Sequence, residues 1–187
     1  MTTTPLDLGR PIAGDVIELI LDDHFRFEAL LRQLRNSSSD RDAVRKAFAA
    51  LHVAHAEAEE RYVYPQLLQK RAIGDHAEHH GEEEHAEGNE ALLAVLELNG
   101  TNTQAFDDAV EELSRLVNHH LAEEELTILN PARKEVSDGV RAELGKTFAV
   151  ERNALIDADC GRIENIRQIV ARAKKQGLLD LPERQEA

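Results

Sequence analysis

The chain has 187 residues, a formal net charge of −14, five prolines and no tryptophan. That length suits one domain with a short extension, and the wealth of Ala, Leu, Glu and Arg favours helix over sheet. The acidity speaks against nucleic acid or an anionic membrane as partner, since both call for a basic patch. The lone Cys160 excludes an internal disulfide framework, and no apolar run approaches the ~18 residues of a membrane span. Met1–Arg10 lacks the apolar core of a secretion signal, so a cytoplasmic setting is expected.

In chain order, residues 1–10 read as a flexible polar tail and residues 11–132 as a helical domain. From Pro11 an apolar stripe runs through Val16, Ile20, Phe27, Leu31 and Leu34 at helical spacing, with His24 on it. Asn36 to Asp40 break it, and a second helix is expected over residues 41–69. Its stripe reads Val44, Phe48, Leu51, His55, Glu59 and Tyr62, with Pro65 disturbing the last turns. His76, His79 and His80 fall in what reads as a polar connection. A third helix is expected over residues 82–98 with His85, Leu92, Val95 and Leu96 inward. A fourth is expected over residues 103–129, with Phe106, Val110, Leu113, Val117, His120, Glu124 and Ile128 inward and Pro131 closing it. This is the pattern of an all-α, up-down-up-down four-helix bundle. Residues 137–177 read as additional C-terminal helices, split near Gly161 and assigned to packing or self-association in a homo-oligomer; residues 178–187 read as a tail.

The two halves of the bundle repeat. Each is a helix with one inward His followed by a helix carrying His-x-x-x-Glu: His24 with His55 and Glu59, then His85 with His120 and Glu124. Residues four apart share a helix face. Counting from the helix ends at roughly 1.5 Å per residue puts His24 and His55 within about 5 Å of one level, and His85 and His120 match as well. Unpaired carboxylates in an apolar core are strongly destabilising, so six such groups at one level imply a bound cation. Six N and O donors exceed one tetrahedral zinc. They suit two ions, and imidazole with carboxylate favours iron, manganese being second.

These residues resemble the hemerythrin-like, or HHE cation-binding, family. The resemblance spans about residues 12–131 and rests on Asp23-His24, on His55-x-x-x-Glu59 with Pro65, on Glu84-His85, and on His120-x-x-x-Glu124. It implies a four-helix bundle whose His24, His55, Glu59, His85, His120 and Glu124 bind two Fe ions with an oxo or hydroxo bridge. Such a centre meets O2, hydrogen peroxide or nitric oxide. Oxygen-carrying members have a His-x-x-x-His pair on the third helix, whereas the positions four from His85 are Gly81 and Asn89. The resemblance is therefore to the carboxylate-richer members, in redox turnover or in sensing, and the sequence leaves enzyme and sensor open.

Around the six, Tyr62, Glu60, Glu123 and His52 are candidates to support the ligands. Glu60, Glu84, Glu123 and Glu125 are all expected first on outer, solvated faces, His119 outside, and His76, His79 and His80 in an exposed polar segment. Ferritin-like iron storage ranks low because only Glu82-x-x-His85 carries its Glu-x-x-His signature.

Overall fold

The computed structural model describes residues 6–179; residues 1–5 and 180–187, which hold most of the two expected tails, lie outside the described residues. The described chain is all helical. Helix α1 is Val16–Arg35, α2 spans residues 41–69, α3 is Asp75–Glu97, α4 spans residues 104–135, α5 is Asp138–Asp157 and α6 is Ile163–Gln176.

The helix starts follow from side-chain caps. Asp15 accepts from the Ile17 N–H, Asp40 from Ala43 and Thr103 from Phe106, each satisfying a donor that the first turn leaves free. Helix α1 therefore begins at Val16 and not at Pro11. Helix α3 begins a full two turns earlier than expected, and Asp75 and Glu78 favour its N-terminal dipole. His76, His79 and His80 are thus helical.

The prolines of α2 and α4 do not end their helices. Each follows a five-residue π-turn, Glu59–Val63 before Pro65 and Glu125–Leu129 before Pro131. The Tyr64 N–H reaches back five residues to the Glu59 carbonyl, and Asn130 reaches Glu125 in the same way. Widening the turn places each proline in the first turn of a new helical stretch, where its missing N–H costs nothing. Helix α4 consequently runs on to Glu135.

Helices α1 to α4 pack in a ring of sequential neighbours, α5 lies along α1 and α2, and α6 lies along α3. Gly145 lets α5 approach the Gly14 carbonyl, and Gly161, in the break between α5 and α6, sits against the backbone of Ala50; a Cβ at either position would clash. Of the expected N-terminal tail, residues 6–10 are described, and Leu6 and Leu8 pack part-buried against the bundle.

The apolar core is in two pieces. One holds Phe27, Leu31, Phe48, Leu51 and Leu113 and is extended by Ile166 of α6. The other holds Ile20, Val63, Tyr64, Leu67 and Ile128, with Phe148 of α5. Between them lies a layer of buried histidines and carboxylates.

Candidate metal centre

His24, His55, His85 and His120, one per helix, are all at most 4% exposed, and Glu59 and Glu124 at most 1%. The structure thus brings all six expected residues into one layer. Each ring turns the same atom outward to an acid. Nδ1 of His24 lies 3.0 Å from Glu125, that of His55 3.3 Å from Asp23, that of His85 2.9 Å from Glu60 and that of His120 3.0 Å from Glu84. A carboxylate at Nδ1 fixes ring orientation and leaves Nε2 as the inward donor atom, the usual arrangement around a histidine ligand.

Of the inward atoms, His24 Nε2 and Glu124 Oε2 hydrogen-bond each other at 3.1 Å, and those of the other residues are left unsatisfied. Nε2 of His55, His85 and His120 and both carboxylate oxygens of Glu59 are buried without a hydrogen-bond partner among the described residues. The Glu59 Oε2 atom is 3.1 Å from His55 Nε2 and 3.3 Å from His85 Nε2, but neither contact has hydrogen-bond geometry. Buried, close and unpaired N and O atoms are costly unless something binds them, and this donor set fits a cation.

Charge balance in the protein alone says the same. Burial works against a charged His55 and His85, yet Glu59, with Asp23 for the first and Glu60 for the second, outweighs it and raises them to about 9 and about 10. Burial likewise works against the Glu59 carboxylate, and His55 and His85 outweigh it to hold the group below the ordinary carboxylate range. Protons therefore stand where a cation would compensate the same acids.

The donors form two triads, His24 with His55 and Glu124, and Glu59 with His85 and His120, the ligand atoms of each lying within 4.8 Å of one another. Each His-x-x-x-Glu pair is divided between the triads. The carboxylates stand at the seam, with Glu124 Oε2 3.1 Å from His24 Nε2 and 3.8 Å from His120 Nε2. Two i,i+4 pairs on facing helices interleave in this way because the acid sits one turn beyond its imidazole, opposite the neighbouring helices' rings.

Residues 15–131, which contain every one of these groups, match the family model of the Hemerythrin HHE cation binding domain. The chain belongs to that family. A "DNA nickase" of Nostoc sp. (strain PCC 7120 / SAG 25.82 / UTEX 2576) is 27% identical over 144 residues, which are 75% of this chain and 40% of that protein. The chain therefore spans less than half the length of this curated relative. No solved structure matches it.

This HHE domain fills the place of the absent third-helix His pair in its own way. Gly81 lies against the ring of Tyr64, where a Cβ would stand 3.1 Å from Cε2. Tyr64 occupies that space, fully buried, stacks on His85 with centroids 5.9 Å apart and donates its hydroxyl to Glu124 Oε1 at 2.9 Å. Burial first, and then Glu124 and Glu59, push the Tyr64 hydroxyl well above its ordinary pKa, so it remains a donor. Asn89, the other position, accepts at Oδ1 from His52 Nδ1 at 3.2 Å.

Several neighbours stand elsewhere than the sequence places them. Tyr62 is 38% exposed; the π-turn adds a residue after Glu59, which rotates Tyr62 outward and brings Tyr64 over Glu59. Glu84 is buried and Glu125 reaches inward, so both hold a histidine although outer faces were expected. Glu60 does hold His85, whereas no hydrogen bond or ion pair among the described residues joins the Glu123 carboxylate to the layer. His52 is buried and stacked on Phe48, and burial with the nearby His85 keeps it neutral. His119 is exposed, as expected.

Arg152 of α5 was missed. It is fully buried and donates to both oxygens of Asp23, at 2.6 and 2.7 Å, so the C-terminal extension supports His55 through Asp23. Its remaining donors reach the Leu8 and Gly9 carbonyls. The signal was available, since Arg152 continues the stripe of Leu144 and Phe148 at four-residue spacing.

Proposed function

We propose that the chain holds two iron ions in this layer and reacts there with O2, hydrogen peroxide or nitric oxide. The observation that carries the reading is the set of unpaired inward atoms, Nε2 of three histidines and both oxygens of Glu59, each imidazole held from behind by an acid. His24, His55 and Glu124 would hold one ion and Glu59, His85 and His120 the other, with both carboxylates placed to reach across the seam. Bound iron supplies one-electron chemistry and open positions for a small ligand. The protein's part is orientation and exclusion of water. Asp23, Glu60, Glu84 and Glu125 fix the rings, and Tyr64 holds one oxygen of Glu124 so that the other faces His24. Phe27 and Phe148 close the layer edge-on to His55, with centroids 5.0 and 5.8 Å away.

The test is metal content and the optical spectrum of aerobically purified protein. Two irons per chain, with charge-transfer bands that bleach on reduction, respond to peroxide or nitric oxide and vanish in His120→Ala, are expected. One zinc, or no metal after iron-replete expression, would sink the reading.

A second reading is a sensor without turnover. It is favoured by Arg152, which ties α5 to His55 through Asp23 and gives the extension a physical link to occupancy. Hydrogen exchange in α5 that is the same with and without metal would refute it. Both readings keep the partner a small molecule and the setting cytoplasmic. No helix among the described residues is long and apolar enough to cross a membrane. Nicking of DNA is not carried over, because the net charge of −14 opposes a polyanion and most of that relative's length has no counterpart in this chain.

A further inference from the structure

Imidazoles and carboxylates also meet outside the buried layer. Glu84 is 8% exposed and gives one oxygen, Oε2, to His120. Its other oxygen, Oε1, is buried with no hydrogen-bond partner among the described residues. That free oxygen faces two imidazoles on different helices, His80 Nε2 of α3 at 3.7 Å and His119 Nε2 of α4 at 3.5 Å. These separations are too long for hydrogen bonds. They are near the roughly 3.4 Å between donor atoms bound at about 2.0–2.1 Å around one tetrahedral ion. The two imidazoles are not drawn together as the buried triads are, their ring nitrogens standing more than 4.8 Å apart. Both are about half exposed, so a shared ion requires a turn of the rings about their side-chain bonds.

The surroundings attract cations. Glu84 lines an open groove of about 840 Å³ together with His80, His119, Glu83 and Glu87. Two further acids of the groove are already neutralised, Glu112 by Arg115 at 2.6 Å and Glu90 by Lys174 at 2.6 Å. Glu83 stands beside His79 and His80, at 3.2 and 3.6 Å, and no Lys or Arg among the described residues pairs with Glu83 or Glu87.

We propose that His80, Glu84 and His119 form a third cation site, at the surface, for a divalent metal that accepts imidazole and carboxylate together, such as zinc or ferrous iron. Water completes its coordination. Glu84 then links the two environments, since a cation on Oε1 acts on the carboxylate that orients His120 through Oε2. The proposal depends only on Glu84 and its surface partners and not on which metal the buried layer takes.

Protein stripped with chelator is titrated with zinc by calorimetry. Wild type is expected to bind one equivalent more weakly than the buried sites, and His80→Ala/His119→Ala to lose that equivalent alone. His76→Ala/His79→Ala retains it, and His55→Ala, which weakens the buried layer without touching Glu84, retains it too. In parallel, the ring resonances of His80 and His119 shift with the weak equivalent. Unchanged stoichiometry in His80→Ala/His119→Ala, or shifts at other histidines instead, would overturn the site. Zinc bound only at this site in wild type would defeat the buried-centre reading and leave this one standing.

Discussion

Replacing Arg152 with Met tests how far the C-terminal extension belongs to the centre. Arg152 and Asp23 are 0% and 1% exposed and joined by two hydrogen bonds of 2.6 and 2.7 Å. Burial alone would raise the Asp23 carboxyl, and the bonds from His55 and Arg152 outweigh it and hold it below its ordinary value. Met fills much of the volume and leaves the acid with His55 at 3.3 Å and Arg26 at 3.6 Å. Breaking a buried pair from one side costs about 3–5 kcal/mol. For a chain of this size that is a fall in Tm of roughly 6–20 °C, at about 2–4 °C per kcal/mol. Asp23 then grips His55 less firmly, and losing such support lowers metal affinity by about 10- to 100-fold. The control is Arg35→Met, which breaks the exposed Arg35–Glu111 pair at 2.7 Å and is expected to cost under about 1 kcal/mol. Thermal unfolding and metal titration of both variants are the assay. A loss below about 1 kcal/mol in Arg152→Met, with metal affinity unchanged, would refute the reasoning.

Tyr64→Phe removes the donor to Glu124 and leaves a buried carboxylate oxygen unpaired, at a cost of roughly 1.5–3 kcal/mol by denaturant unfolding; Tyr62→Phe is expected to change nothing measurable, and the reverse order would place the π-turn wrongly. In metal-free protein His55 and His85 sit at about 9 and about 10 against about 6.5 unfolded. Their stabilisation is thus complete below about pH 6.5 and lost as pH rises through 9 to 10. The stability gap between wild type and His85→Gln, both chelated, should therefore narrow from pH 7 to pH 10, and a constant gap would contradict it. Cys160 is 6% exposed, and burial pushes its thiol up to about 11. It should react far more slowly with a thiol reagent at pH 8 when native than when unfolded, and equal rates would show that the connection between α5 and α6 does not seat the thiol against Ala50 of α2.

The sequence by itself determined the all-helical class, most positions of the inward stripes and the six expected residues of the polar layer, though not every helix bound, because helical period and i,i+4 spacing are local properties of the chain. Three features needed the tertiary structure. Exchange of the inner tyrosine, Tyr64 for Tyr62, came from the π-turns, which form where Pro65 and Pro131 leave a carbonyl without its donor; period counting assumes an unbroken 3.6-residue turn. The acids behind the rings, Glu84 and Glu125 above all, read as solvated faces because their partners lie 36 and 101 residues away in the chain. Likewise nothing local to Arg152 shows that α5 lies along α1 and α2, with Asp23 129 residues distant. Spacing along one helix fixes which side chains share a face, but only packing between helices decides which of them meet.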